Sequence, residues 1–243
     1  MNKEFADIKY VPIREYQYKQ LFNEVQYNGK TLSESERKEF ISVIDNTIAQ
    51  HPEGLSLMTS ILEETKEQQN EYYEIYRTVI SVELFVLITM IDSMVLGKYF
   101  ILADRDYDRR FKRGKLFVIF NEGFKKLYGF KEKSHQKSEW EKLNPIMKYF
   151  PEEINRQYQE LTDLLEKQSN ISSWWKDERN HETHLDTEKL YKSRQEEIVE
   201  SKVMMDSMKL FNTLMAVSNF LGNAHACLYN FLVEKYHRGE LSE

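Results

Sequence analysis

The sequence predicts an all-α protein built on a few long helices, and three observations carry that reading. Only 8 Gly and 4 Pro punctuate 243 residues, and these are the residues that interrupt helices and make turns. Apolar residues recur at helical spacing over long windows, notably 55–103 and 196–236. A capping box, Ser33 with Glu36 three residues later, opens a segment whose Phe40, Ile41, Ile44 and Ile48 share one face. With 41% hydrophobic residues the chain can bury a sizeable core. Its length suits one large domain, or one domain with an added N-terminal piece.

The elements follow in order. Residues 1–32 read as a helix over about 13–27 or as a small hairpin turning at Asn28-Gly29. The capped helix then runs from Ser33 to His51-Pro52-Glu53-Gly54, and residues 1–54 form an N-terminal helical extension. From about residue 55 a very long helical segment continues to about 103. Its polar run 63–71 is read as an exposed portion or a bend. Residues 84–102 (LFVLITMIDSMVLGKYFIL) are apolar and long enough to span a bilayer. Asp92 near the centre and Lys98 beyond it would each cost about 2.5–3.5 kcal/mol on insertion. The stretch is therefore read as a central core helix, and no membrane is expected.

Charge interrupts at 104–115 (DRDYDRRFKRGK), after which Phe117, Phe120, Phe124 and Leu127 resume the pattern as far as Gly129. Residues 131–142 read as a solvated connection. A helix from about Pro145 to Gln168 follows, bent or restarted at Pro151. The last helix starts at Glu188 or Glu196 and reaches Tyr236, with a bend expected at Gly222-Asn223. The predicted architecture is a bundle of four or more core helices over 55–243.

The single cysteine, Cys227, excludes an internal disulfide framework, and the N-terminal MNKEFADIKY carries no apolar leader segment. Both point to the cytoplasm. A net charge of −6 argues against non-specific binding to long nucleic acid, which rests on neutralising many phosphates. Gly-rich phosphate loops, nucleophile elbows and dinucleotide fingerprints are absent.

The chemistry concentrates in 174–186, WWKDERNHETHLD. His181-Glu182-Thr183-His184 falls one residue short of HExxH, so its histidines lack the four-residue spacing that lets two share a zinc ion. No metal and no cofactor are expected. Arg179, Asn180 and His184 make R-N-x3-H. With 11 Arg and 6 His, R-x4-H arises by chance about 0.27 times in such a chain, and about 0.02 times with Asn required next. A plain exposed helix start bearing two ordinary histidines is the bland alternative.

The motif and its all-helical setting resemble the HEPN superfamily, helical bundles that include many metal-independent ribonucleases. The resemblance covers about 55–240 and implies a HEPN-like bundle acting as an endoribonuclease, of the toxin or defence kind. It implies His184 as general acid–base on the RNA 2′-hydroxyl and leaving oxygen. It implies Arg179 on the scissile phosphate and Asn180 orienting both. A homodimer with two motifs facing one cleft is implied too, and an antitoxin or regulatory protein is a candidate partner. The runner-up is a catalytically silent HEPN-like scaffold that dimerises and binds a protein.

Residues five apart on an ideal helix differ by about 140°, so Arg179 and His184 converge only through reach, distortion or a second subunit. Supporting candidates are Glu83 and Asp92, the latter expected to be buried and paired because an unpaired buried carboxylate is costly. His181 is a further polar contact. Arg109, Arg110 and Arg113, interleaved with Tyr107 and Phe111, are the candidate RNA-backbone contacts, although Asp104, Asp106 and Asp108 lie among them. The acids around the motif, Asp177, Glu178, Glu182 and Asp186, oppose RNA binding.

Overall fold

The computed structural model describes residues 31–129, 138–168, 179–180, 187–195 and 197–241. Within these residues every regular element is helical. Helix α1 (Glu34–Gln50) begins at the expected capping box: Glu36 N–H donates to Ser33 Oγ at 3.3 Å, and Ser33 N–H donates to Glu36 Oε2 at 2.6 Å. His51 closes it, and Pro52 opens α2 (Pro52–Glu64), where its missing N–H is no loss.

The chain then breaks rather than running on. Residues 65–70 are turn and coil, and α3 (Glu71–Ile101) starts afresh at an Asn70 cap, whose side chain accepts from Tyr72 N–H at 2.8 Å. The break is stitched from a distance. Arg77 donates to the carbonyls of Thr65 and Gln68, so a buried-side guanidinium replaces the helical hydrogen bonds lost there.

Helix α4 (Asp106–Tyr128) begins inside the charged stretch and stops at Gly129, whose φ of 103° suits only glycine well. Two 3-10 turns, Trp140–Lys142 and Asn144–Tyr149, lead through Pro151 into α5 (Glu152–Lys167). Here the solvated connection expected for 131–142 is corrected in its second half: Ser138, Glu139 and Trp140 are buried. Trp140 stacks on Tyr158 with centroids 4.9 Å apart and donates its indole N–H to Thr162 Oγ1 at 2.9 Å. Residues 130–137 lie outside the described residues, as do 1–30.

Helix α6 (Thr187–Gln195) is separate from the 38-residue α7 (Glu200–His237). Helix α7 runs unbroken through Gly222 and Asn223, where a bend was expected. Gly222 packs beside Glu83: a Cβ there would sit 3.9 Å from Oε1, an ordinary contact.

Helix α3 is the axis of the bundle. It packs along α7 on one side and α4 on another, while α1 and α2 also lie on it and α5 lies on α7. Its apolar length is thus spent on protein contacts, including buried Val79, Ile80, Val86 and Met90. The α3–α4 approach is close at Gly123, where a Cβ would meet Thr89 Cγ2 at 2.7 Å. Leu32 and Ile44 join the same core, so α1 and its lead-in share the bundle's interior. Arg37 and Glu200 fasten that corner, with Nη2 and Oε2 2.7 Å apart; Arg37 also reaches Ile101 O at 3.2 Å, joining the end of α3 to the start of α7.

Candidate functional site

Arg179 and Asn180 occupy a short helical piece beside α4. The Arg179 guanidinium donates from Nη1 to Asn180 Oδ1 at 2.7 Å and forms an ion pair with Glu122 of α4. The arginine side chain is 22% exposed and the glutamate 43%, so the pair lies at the surface, within reach of solvent. Asn180 thus accepts from one edge of the guanidinium. The other contacted edge faces an acid whose carboxylate offers the geometry of a phosphate. His181 and His184 lie outside the described residues, and so do Trp174 and Trp175.

The supporting candidates fall elsewhere. Asp92 is exposed, which corrects the expectation of a buried, paired carboxylate. The reason is its register: Ser81, Ile88, Asp92 and Tyr99 are spaced seven, four and seven apart and form the outward stripe of α3. An apolar window in a one-dimensional sequence hides such a stripe.

Glu83 is buried, at 6% exposure, and its bound partner is His225 of α7 rather than Arg179. The levels of the two groups differ. Gly123, next to Glu122, faces Thr89, and Glu83 lies six residues, about 9 Å, further along α3.

That second cluster is a hydrogen-bonded chain. Glu83 Oε2 lies 3.1 Å from His225 Nδ1, and His225 Nε2 lies 2.9 Å from the Tyr76 hydroxyl. With Nδ1–H donating to the carboxylate and Nε2 accepting from the phenol, a neutral imidazole satisfies all three groups. Burial, then the neighbouring Tyr229 and Glu83, push the Tyr76 hydroxyl up to about 12, so it stays protonated as the donor. The Tyr76 and His225 rings also meet edge-on at 5.2 Å. The chain ties α3 to α7 through the core. His225 was invisible to motif reading, since it stands alone within the apolar stripe of α7; its i−4 neighbour Leu221 and i+3 neighbour Leu228 are both buried.

The basic stretch of α4 is largely engaged with its own neighbourhood. Arg109 Nε donates to Ala103 O at 2.9 Å, which closes the loop between α3 and α4. The Arg113 guanidinium lies 5.9 Å from the Phe117 ring centroid. Arg110 is half-buried. Exposed rings do stand here, Tyr99, Tyr107 and Phe111, with Lys112 5.2 Å from the centre of Tyr99 and Lys115 5.3 Å from that of Phe111. Arg113 and Glu122 are nine residues apart, about 180° round α4, so this patch and the Arg179 pair do not share a face through that position.

Among the described residues no group of three His, Cys, Asp or Glu side chains gathers as a metal site. Cys227 is buried, and burial alone raises its thiol to about 11, which leaves it a small apolar residue rather than a nucleophile. No family model, no curated protein and no solved structure matches the chain.

Proposed function

We propose that the protein is a HEPN-like, metal-independent endoribonuclease, of the toxin or defence kind, in which Arg179 grips the scissile phosphate and His184 moves the protons. The observation that carries this reading is the surface guanidinium of Arg179, held by Asn180 at 2.7 Å and partly open to solvent. The motif resemblance assigns these two residues just such roles. The resting ion pair with Glu122 is compatible with them: a backbone phosphodiester carries the same single charge as a carboxylate and presents a similar pair of acceptor oxygens, and only its transition state gathers more charge on them.

In this mechanism His184 draws the proton from a 2′-hydroxyl, which attacks the adjacent phosphorus. A protonated imidazole, from the same residue or its counterpart in a second copy, supplies the leaving 5′-oxygen with a proton. Arg179 stabilises the charge growing on the non-bridging oxygens. A homodimer with two motifs at one cleft is part of the proposal.

The same Glu122 pair favours a second reading, a silent HEPN-like scaffold that dimerises and binds a protein partner, with Arg179 a structural cation. Cleavage of a mixed RNA pool in EDTA separates the two. The proposal expects cutting by wild type and none by Arg179→Ala or His184→Ala. A folded wild type that leaves the pool intact, or cutting that survives both substitutions, overturns it.

A further inference from the structure

A cleft of about 340 Å³ lies between α1, α3, α4 and α7, on the opposite side of α4 from the Arg179 pair. Phe120 lines it, and Phe120 and Glu122 are about 200° apart round that helix. Phe40, Ile44, Met94, Phe120, Met208 and Phe211 give it apolar walls. The volume lies within the range of small-molecule sites.

The polar groups of the lining are all of one kind. Ser93 spends its hydroxyl hydrogen on Met90 O at 2.8 Å, and Ser207 spends its own on Val203 O at 2.7 Å. Each hydroxyl oxygen therefore faces a ligand as an acceptor. The remaining polar side chains are the carboxylates of Glu36 and Glu39 on α1, and Glu36 is kept ionised by the Ser33 cap, which holds it below the usual carboxylate range. No Lys, Arg or His stands among the described lining residues. A site with apolar walls, acceptor-only polar groups and two carboxylates selects against anions and for donors.

We infer that this cleft binds a small amphipathic cation, a primary ammonium carried on an aliphatic or aromatic body. The body fills the space beside Met94 and Met208, and the ammonium meets Glu39 and Glu36. The floor is left open by Gly97, where a Cβ would find nothing within 4 Å. Gly97 lines the cleft, so a side chain added there projects from a position with room for its Cβ.

The test uses 4-phenylbutylammonium, with 4-phenylbutanol and 4-phenylbutyrate as neutral and anionic isosteres, titrated into the full chain while the Met and Ile methyl resonances are followed by NMR. The ammonium is expected to move the Met94 and Met208 methyls and to bind about tenfold tighter than the alcohol, with the carboxylate weakest. Glu36→Gln with Glu39→Gln keeps the capping box, which accepts Gln, and brings the ammonium down to the alcohol's affinity. Gly97→Leu fills the space and weakens the ammonium about tenfold or more, with the unfolding midpoint at or above wild type. Equal affinities for the three probes, no methyl shift with the ammonium, or unchanged binding in Gly97→Leu overturns the inference. If Gly97→Leu fails to fold, the charge-removed variant decides alone.

Discussion

Two glutamates, Glu83 on α3 and Glu122 on α4, each hold one cationic or proton-bearing partner from a distant part of the chain, yet the bundle treats them oppositely. Glu83 is at 6% exposure, with His225 and Tyr76 closing a chain around it. Glu122 is 43% exposed and meets Arg179 at the rim. His225 and Arg179 are alike in exposure, at 20% and 22%, so the glutamate makes the difference: around buried Glu83 water has little room to replace a lost partner, and the loss is expensive. At the rim, water and other anions compete, so the pair is worth little to stability and exchanges readily. A chain that binds a phosphate needs its arginine in the second situation. On the proposed function, the Glu83–His225–Tyr76 chain is the scaffold and the Glu122–Arg179 pair is the part that meets a phosphate.

The largest expected effect comes from breaking the core chain. His225→Ala leaves the Glu83 carboxylate without its donor and should cost about 3 kcal/mol in denaturant unfolding. A loss under about 1 kcal/mol would show that water enters the α3–α7 seam. Next is the close approach of α3 and α4. Gly123→Ala sets a Cβ 2.7 Å from Thr89 Cγ2 and should cost about 1–3 kcal/mol. Adding Thr89→Ser removes that methyl, and most of the loss should return. If it does not, the two helices touch elsewhere. Smaller again is Trp140→Phe, which forfeits the bond to Thr162 and part of the stack on Tyr158, for about 1–2 kcal/mol. Glu122→Gln belongs at the bottom of the stability scale, at under about 1 kcal/mol.

One acid-sensitive corner sharpens the contrast further. His51, between α1 and α2, has its imidazole held below its ordinary value of about 6.5 by burial. The unfolded chain therefore takes up this proton first as pH falls, and the contribution, full above about 6.5, is lost progressively below that value. Glu36 works in the same direction at lower pH, since its carboxylate accepts from the Ser33 cap more strongly while ionised. The His51 ring should titrate below 6.5 by NMR. Titration at or above that value would mean that the ring is solvated.

Local rules found what local chemistry decides. The Ser33–Glu36 box, the stop at His51-Pro52, the axis helix and the apolar face of α7 are all carried by residues within a few positions of one another. The misses are tertiary. The break at 65–70 depends on Arg77 reaching back to two carbonyls, and Trp140 is buried because Tyr158, Thr162 and Phe220 gather round it. Asp92 was misplaced because its window was read as uniformly apolar, whereas Ser81, Ile88, Asp92 and Tyr99 mark an outward stripe at helical spacing. At the candidate site, Arg179 and Asn180 were legible as a motif. Glu122 was not, because nothing in a sequence pairs residues 57 positions apart.

The central claim is that Arg179 sits in an exchangeable pair and is there for a phosphate. The direct measurement is binding of an RNA oligonucleotide made uncleavable by 2′-deoxy substitution, at one fixed salt concentration, to wild type, Glu122→Gln and Arg179→Ala. Binding is expected to be a few-fold tighter for Glu122→Gln, because the competing carboxylate charge is gone, and about tenfold weaker for Arg179→Ala. Wild-type affinity retained in Arg179→Ala, or binding lost in Glu122→Gln, would contradict the claim and leave the pair as a strut of the bundle.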